Sequence, residues 1–224
     1  MTIESRVNAL RKTIPEGVKI VAVSKFHPTE TILQAYDAGQ RVFGESRVQE
    51  LIVKQPELPQ DIEWHFVGNL QRNKVKQIAP FISLIHSVDS ERLIKEINKQ
   101  GKANNRVVPC LLQIHIAEEE TKSGFSPDEC RQFLADKKWR EYPNVQLVGI
   151  MGMATFTDDK EKVHEEFRLL KTLFDEWKRD HFSDDPSFKE ISMGMSDDHP
   201  IAIEEGSTMI RLGTILFGER AASL

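Results

Sequence analysis

Cysteine, long apolar runs and blocks of one charge are all scarce in this sequence, and each scarcity removes a class of protein. Two cysteines occur, Cys110 and Cys130, without CxxC spacing. They support neither a disulfide framework nor a cysteine zinc site and read as free thiols. No stretch approaches the roughly 20 apolar residues of a membrane span. The opening MTIESRVNALRKTIPEG is charged and amphipathic, without the apolar centre of a signal peptide. A soluble, cytoplasmic protein is expected. The formal charge is -5, and the densest basic stretch, Arg72 to Lys76, holds only three positive charges, which argues against a nucleic-acid partner. Catalytic signatures are missing too: no GxSxG elbow, no HxH or HExxH pair and no GxGxxG after the first apolar run.

What is present is a repeating pattern. The 224 residues are 39% apolar and 29% charged, enough for one buried core, so a single domain over 1–224 is expected. Eight apolar runs of strand length follow one another. They are Ile20 to Lys25, Arg41 to Glu45, Trp64 to Asn69, Ser83 to Asp89, Pro109 to Ala117, Val145 to Ala154, Glu190 to Ser196 and Met209 to Gly218. Helix-period stretches lie between them, with start signals at Pro28, Ser90 and Ser126-Pro127 and a long one from Lys160 to Arg179. Gly39 and Gly101 read as C-terminal caps. Ser5 to Lys12 reads as an additional helix before the first strand. Strands apolar on both faces alternating with helices imply a parallel sheet. Eight such units favour closure into a (β/α)8 TIM-type barrel over an open doubly wound sheet.

In such a barrel the chemistry gathers where the strands end, so the polar residue closing each run is the candidate. Lys25 closes the first. It is either a solvated strand end or an amine nucleophile, and the second role requires the mouth to desolvate the ammonium partly, so that neutral amine can attack an aldehyde. Arg211 sits inside the apolar last run, where alternation places Met209, Arg211, Gly213 and Ile215 on one face. A buried guanidinium needs a carboxylate, carbonyls or a ligand acceptor. Beyond it, Gly213 and Thr214 offer close backbone approach and a hydroxyl, and Ser196 precedes a short helix expected over Asp198 to Glu205. These residues form either a phosphate cup or ordinary helix capping. His65, His86 and His115 lie in three separate runs and read as core or cofactor-packing histidines rather than metal ligands.

Taken together, VAVSKFHP, AGQRVFGESRVQE, WHFVGNLQRNK, ETKSGF, GIMGMATF, SMGMSDD and MIRLGTILFGER closely resemble the YggS/PROSC family of pyridoxal phosphate homeostasis proteins, in the right order and over nearly the whole chain. The resemblance implies an alanine racemase N-terminal-domain-like barrel that holds pyridoxal 5′-phosphate as a Schiff base on Lys25. By the same likeness Arg211 faces the pyridine nitrogen, and Ser196, Gly213 and Thr214 hold the phosphate. One departure stands out: the block usually written FGENxVQE reads FGESRVQE here, which puts Ser46 where the family's cofactor-contacting asparagine is typical.

The resemblance also implies intracellular homeostasis of the cofactor, without substantial catalysis, with pyridoxal phosphate and pyridoxal phosphate-dependent enzymes as partners; a monomer is expected because no cross-subunit base is required. The rival is an amino-acid racemase, which needs a second base. Racemases of this type take a tyrosine from a further domain across a dimer, whereas Tyr36 falls mid-helix and Tyr142 in a connection. A metal-dependent hydrolase built on the histidines is a third, remote alternative.

Overall fold

The computed structural model describes residues 1–119 and 123–218. Glu120, Thr121 and Lys122 of the ETKSGF block, and Glu219 and Arg220 of the last block, lie outside the described residues.

Eight parallel strands close on themselves in chain order: β1 (Lys19–Val23), β2 (Val42–Glu45), β3 (Glu63–Phe66), β4 (Leu84–Val88), β5 (Val108–Gln113), β6 (Val145–Met151), β7 (Glu190–Ser192) and β8 (Met209–Leu212). Pairing of β8 with β1, Val21 opposite Arg211, excludes the open sheet. The strands are rich in β-branched residues and apolar on both sides because each buries both faces. Period-two alternation then sorts two cores. Val21, Val42, Leu84, Leu111, Met151 and Met209 fill the barrel. Their strand neighbours Ala22, Phe43, Ile85, Leu112 and Ile210 pack outward, with the helices.

The helices are α1 (Ile3–Thr13), α2 (Thr29–Asp37), α3 (Val48–Glu57), α4 (Val75–Ile78), α5 (Glu91–Ala103), α6 (Pro127–Ala135), α7 (Lys160–His181), α8 (His199–Glu204) and α9 (Thr214–Phe217). Helix α1 is the additional one expected before the first strand, and it buries Val7 and Leu10. Start signals behave as their chemistry requires. Ser90 Oγ accepts from the Leu93 amide, and Ser126 with Glu129 forms a reciprocal capping box. Among the described residues no helix is long and apolar enough to cross a membrane.

Three expectations need correction. Most of the apolar runs overshoot the strands at their C-terminal ends: β1 stops at Val23 rather than Lys25, β7 at Ser192 rather than Ser196, and β8 at Leu212 rather than Gly218. Once past the barrel the chain must turn outward to reach its helix, and apolar loop residues pack there without being sheet. Consequently Gly213 and Ile215 do not share the interior strand face with Arg211. Gly213 caps α9 and Ile215 is exposed. Finally, Gly39 ends α2 in the left-handed region at φ 93°, but Gly101 is no cap. It lies inside α5, where an added Cβ would come within 2.9 Å of the Arg106 and Asn144 carbonyl oxygens. The glycine is there so that the loop before β5 and the loop before β6 can press against the helix. Gly101→Val is therefore expected to cost about 1–3 kcal/mol through overpacking against backbone, read as a lower denaturation midpoint in urea.

Candidate functional site

At the C-terminal mouth a cavity of about 330 Å³ collects Lys25, Ser46, Ser196, Arg211, Gly213 and Thr214. Val67, Met153 and Met195 give it apolar walls. A larger hollow of about 630 Å³ is lined by polar residues such as Arg72, Asn73, Asp89 and Arg92, all exposed or half-exposed, so it lacks the desolvated groups that binding chemistry uses.

Lys25 projects from the turn after β1, and that turn is clamped from below. The buried Lys54 ammonium donates to the Ser24 carbonyl at 3.0 Å, to Glu45 Oε1 at 2.7 Å and to Glu50 Oε2 at 3.1 Å. Ser24 Oγ donates to Glu45 Oε1 at 2.7 Å, and the Phe26 amide donates to Glu50 Oε2 at 2.7 Å. Both neighbours of Lys25 are thus held by one cluster. It holds Phe26 at φ 66°, a left-handed conformation that costs a non-glycine residue about 1–3 kcal/mol, and Arg47 lies over the Phe26 ring at 4.5 Å. Burial raises the Glu45 carboxyl above its ordinary range against the pull of Lys54. For Glu50 burial acts the same way, but the Phe26 amide and Lys54 outweigh it and hold its pKa below the ordinary value. Among the described residues Lys25 itself makes no hydrogen bond or ion pair.

Arg211 is 5% exposed and among the described residues forms no ion pair with a carboxylate. Its Nη1 donates to Ser192 Oγ at 2.7 Å and its Nη2 to the Gly152 carbonyl at 3.2 Å. A guanidinium carries five N–H donors, so donors remain for the cavity. Burial lowers its pKa to about 10, partly opposed by Asp198, and it stays protonated at neutral pH. Behind it, Ser192 Oγ lies 2.9 Å from His86 Nδ1, and His86 Nε2 lies 3.0 Å from His65 Nδ1. His115 stands apart, its Nε2 at 3.0 Å from the Glu119 carbonyl. Among the described residues no group of three His, Cys, Asp or Glu could hold a metal ion.

The hydroxyls of Ser196 and Thr214 have no hydrogen-bond partner among the described residues. The Thr214 and Ile215 amides, at the start of α9, find no backbone acceptor among them either. Of the two carboxylates beside Ser196, Asp198 bonds back to the Met195 amide at 2.5 Å, while Asp197 lines the cavity. A Cβ on Gly213 would meet nothing closer than 3.6 Å, so the absent side chain leaves room. Ser46 is pinned through its backbone: a Cβ on Gly68 would lie 2.2 Å from the Ser46 carbonyl oxygen. Neither tyrosine reaches this cavity. Tyr36 donates to Asp61 and Tyr142 to Glu91, both at 2.7 Å.

The closed parallel barrel and the lysine and arginine at its C-terminal mouth define a protein of the alanine racemase N-terminal-domain class, and that family matches residues 1–221. The chain belongs, within this class, to the family of pyridoxal phosphate homeostasis proteins. It is 41% identical to the protein of that name from Aquifex aeolicus over 90% of this chain and 87% of the relative. It is 37% identical to that from Pasteurella multocida over 98% of both. Among solved structures, PipY of Synechococcus elongatus superposes with TM-score 0.91 without PLP and 0.87 with PLP bound, at 37% identity over 96% of this chain and 100% of PipY. Alanine racemase of Clostridium difficile, at 16% identity and TM-score 0.79 over 99% of this chain and 58% of the racemase, shares the fold.

Sequence reasoning missed the Glu45, Glu50 and Lys54 clamp and the Ser192–His86 contact. The i,i+4 spacing of Glu50 and Lys54 was a visible signal, whereas Ser192 and His86 are far apart in the chain. Two expectations follow. Lys54→Met strands Glu45 as a buried unpaired carboxylate and should cost about 3–5 kcal/mol, and the Lys54→Met/Glu45→Met double variant should lose less than the single one by equilibrium unfolding. His65, whose pKa burial lowers to about 3, takes up its proton only on unfolding. Stability is thus lost as pH falls below the unfolded value of about 6.5, by roughly 2 kcal/mol at about pH 5. His86 is lowered by burial in the same direction. Denaturation midpoints across this range should fall more steeply for the wild type than for His65→Gln.

Proposed function

We propose that this chain binds pyridoxal 5′-phosphate at the C-terminal mouth, with Lys25 as the covalent attachment point, and serves intracellular homeostasis of the cofactor rather than catalysis. One observation carries this reading: a buried arginine without a carboxylate, an unpaired lysine and two unpartnered hydroxyls, each so among the described residues, all line one cavity. A molecule bearing a ring acceptor, an aldehyde and a phosphate satisfies all of them at once. The names of the relatives and the PLP-bound form of PipY support the same assignment.

When bound, pyridoxal phosphate supplies an aldehyde that an amine can hold reversibly and a ring that can withdraw electrons. Lys25 provides the amine, and the clamp beneath its two neighbours fixes where that amine can reach. Arg211 would donate to the ring nitrogen without giving up its proton, and would so keep the ring a weak electron sink. Ser196, Thr214 and the backbone at Gly213 receive the phosphate, and Ser46 forms the side wall, its hydroxyl keeping one hydrogen bond directly or through water. Both tyrosines are engaged elsewhere, so the face opposite Lys25 gains no phenolic base from this chain, which favours binding over racemisation. We assign this role to the chain as one domain, acting as a monomer in the cytoplasm and exchanging cofactor with pyridoxal phosphate-dependent enzymes.

The test compares visible absorbance of wild type and Lys25→Ala, before and after borohydride reduction with mass analysis. Wild type should be yellow and yield a reduced adduct on Lys25 that the variant lacks, with no amino acid racemised by either. A colourless wild type that takes up no pyridoxal phosphate would overturn the binding role, and steady racemisation would overturn the non-catalytic one.

A further inference from the structure

The barrel has a second mouth. At the N-terminal ends of the strands a cavity of about 250 Å³ is lined by Lys19, Glu63, His65, Ser83, Lys189 and Glu190, none of which lines the cavity that holds Lys25. His65 reaches it from inside the barrel and is only 2% exposed.

Proton inventory fixes what His65 presents there. Both rings of the His65–His86 contact are neutral, because burial lowers both pKa values, so each carries one N–H. Arg211 can only donate, and it donates to Ser192 Oγ. Ser192 is 0% exposed, and the acceptor within reach of its own proton is His86 Nδ1 at 2.9 Å. If His86 donated instead, the Ser192 proton would be buried unpaired, at a cost of about 1–3 kcal/mol. His86 therefore carries its proton on Nε2 and donates to His65 Nδ1, and His65 carries its own on Nε2. From Ser192 onward each donor of the series finds an acceptor until the last, since the His65 Nε2–H has no partner among the described residues.

The surrounding charges show what would accept it. Lys19 and Glu190 face each other at 4.0 Å, and the other Glu190 oxygen accepts from Thr208 at 2.8 Å. That leaves Glu63 and Lys189, opposite in sign, neither in an ion pair among the described residues. A cavity below the roughly 300–1,000 Å³ of drug-sized sites, with the Nε2–H of a buried histidine and an exposed cation and an exposed anion at its rim, suits a small zwitterion.

We propose that the N-terminal mouth binds a free α-amino acid, whose carboxylate accepts from His65 Nε2–H and pairs with Lys189 while its ammonium pairs with Glu63. Binding stands apart from the function proposed above. Its consequence for the cofactor rests on that reading, because the hydrogen bonds through His86 and Ser192 end on Arg211.

The experiment uses the full chain as purified, isotope-labelled at histidine nitrogen, and titrates it with N,N-dimethylglycine, a zwitterion whose tertiary amine cannot condense with an aldehyde. His65 Nε2, assigned with His65→Gln, should shift saturably with a smaller shift following at His86. In Glu63→Gln/Lys189→Met the affinity should fall about tenfold, one decade for about 1.4 kcal/mol of lost pairing. An unmoved His65, an unchanged affinity in the double variant or an equal response to acetate would overturn the proposal. Repeating the titration in Lys25→Ala separates the two ideas: a response retained there stands whether or not the cofactor binds at the other mouth.

Discussion

The barrel interior is walled by apolar side chains and opens only towards its two mouths, and that constraint governs every polar group placed within it. Leaving a buried donor or acceptor there without a partner is costly, so each is best matched by another side chain or by a ligand. Arg211, Ser192, His86 and His65 meet this demand as a connected series from one mouth towards the other. The apolar layers of Val21, Leu84, Leu111 and Met209 give the series its walls. Desolvation keeps both imidazoles neutral, which makes the series directional, and it keeps Arg211 close enough to bare that its remaining donors are valuable to a ligand.

A second buried cluster does different work with the same chemistry. Lys54 is the charge that allows Glu45 to sit fully buried at the end of β2, and its bond to the Ser24 carbonyl ties α3 to the turn after β1. The chain thus uses one lysine as a structural pin so that another can stand unencumbered at the mouth. The division follows from placement: Lys54 is enclosed by acceptors, while Lys25 faces an open cavity.

The barrel was legible because its signal is repetitive: eight two-sided apolar runs alternating with capped helices leave few ways to bury so much surface. Arg211 was legible for the opposite reason, as a charge out of place in an apolar run. Strand ends were not, because residues such as Met193 and Leu216 are as apolar in loops and short helices as in sheet, and composition does not record where the backbone turns. Gly101 misled because a glycine near a helix end reads as a cap, and only the fold shows the two carbonyls that crowd it. The grouping of Lys25, Ser196, Arg211, Gly213 and Thr214 was reached through resemblance. Spacing alone left each of them with an ordinary alternative.

The contact between Gly68 and Ser46 bears on how such a site can diverge. The two loops are keyed together by main-chain atoms, and the side chain at position 46 takes no part in that fit. Exchange of serine for asparagine there changes the wall's side chain and leaves the main-chain fit in place. The polarity of the mouth can therefore be altered at position 46 without disturbing that main-chain fit, whereas any side chain at Gly68 would collide with the Ser46 backbone.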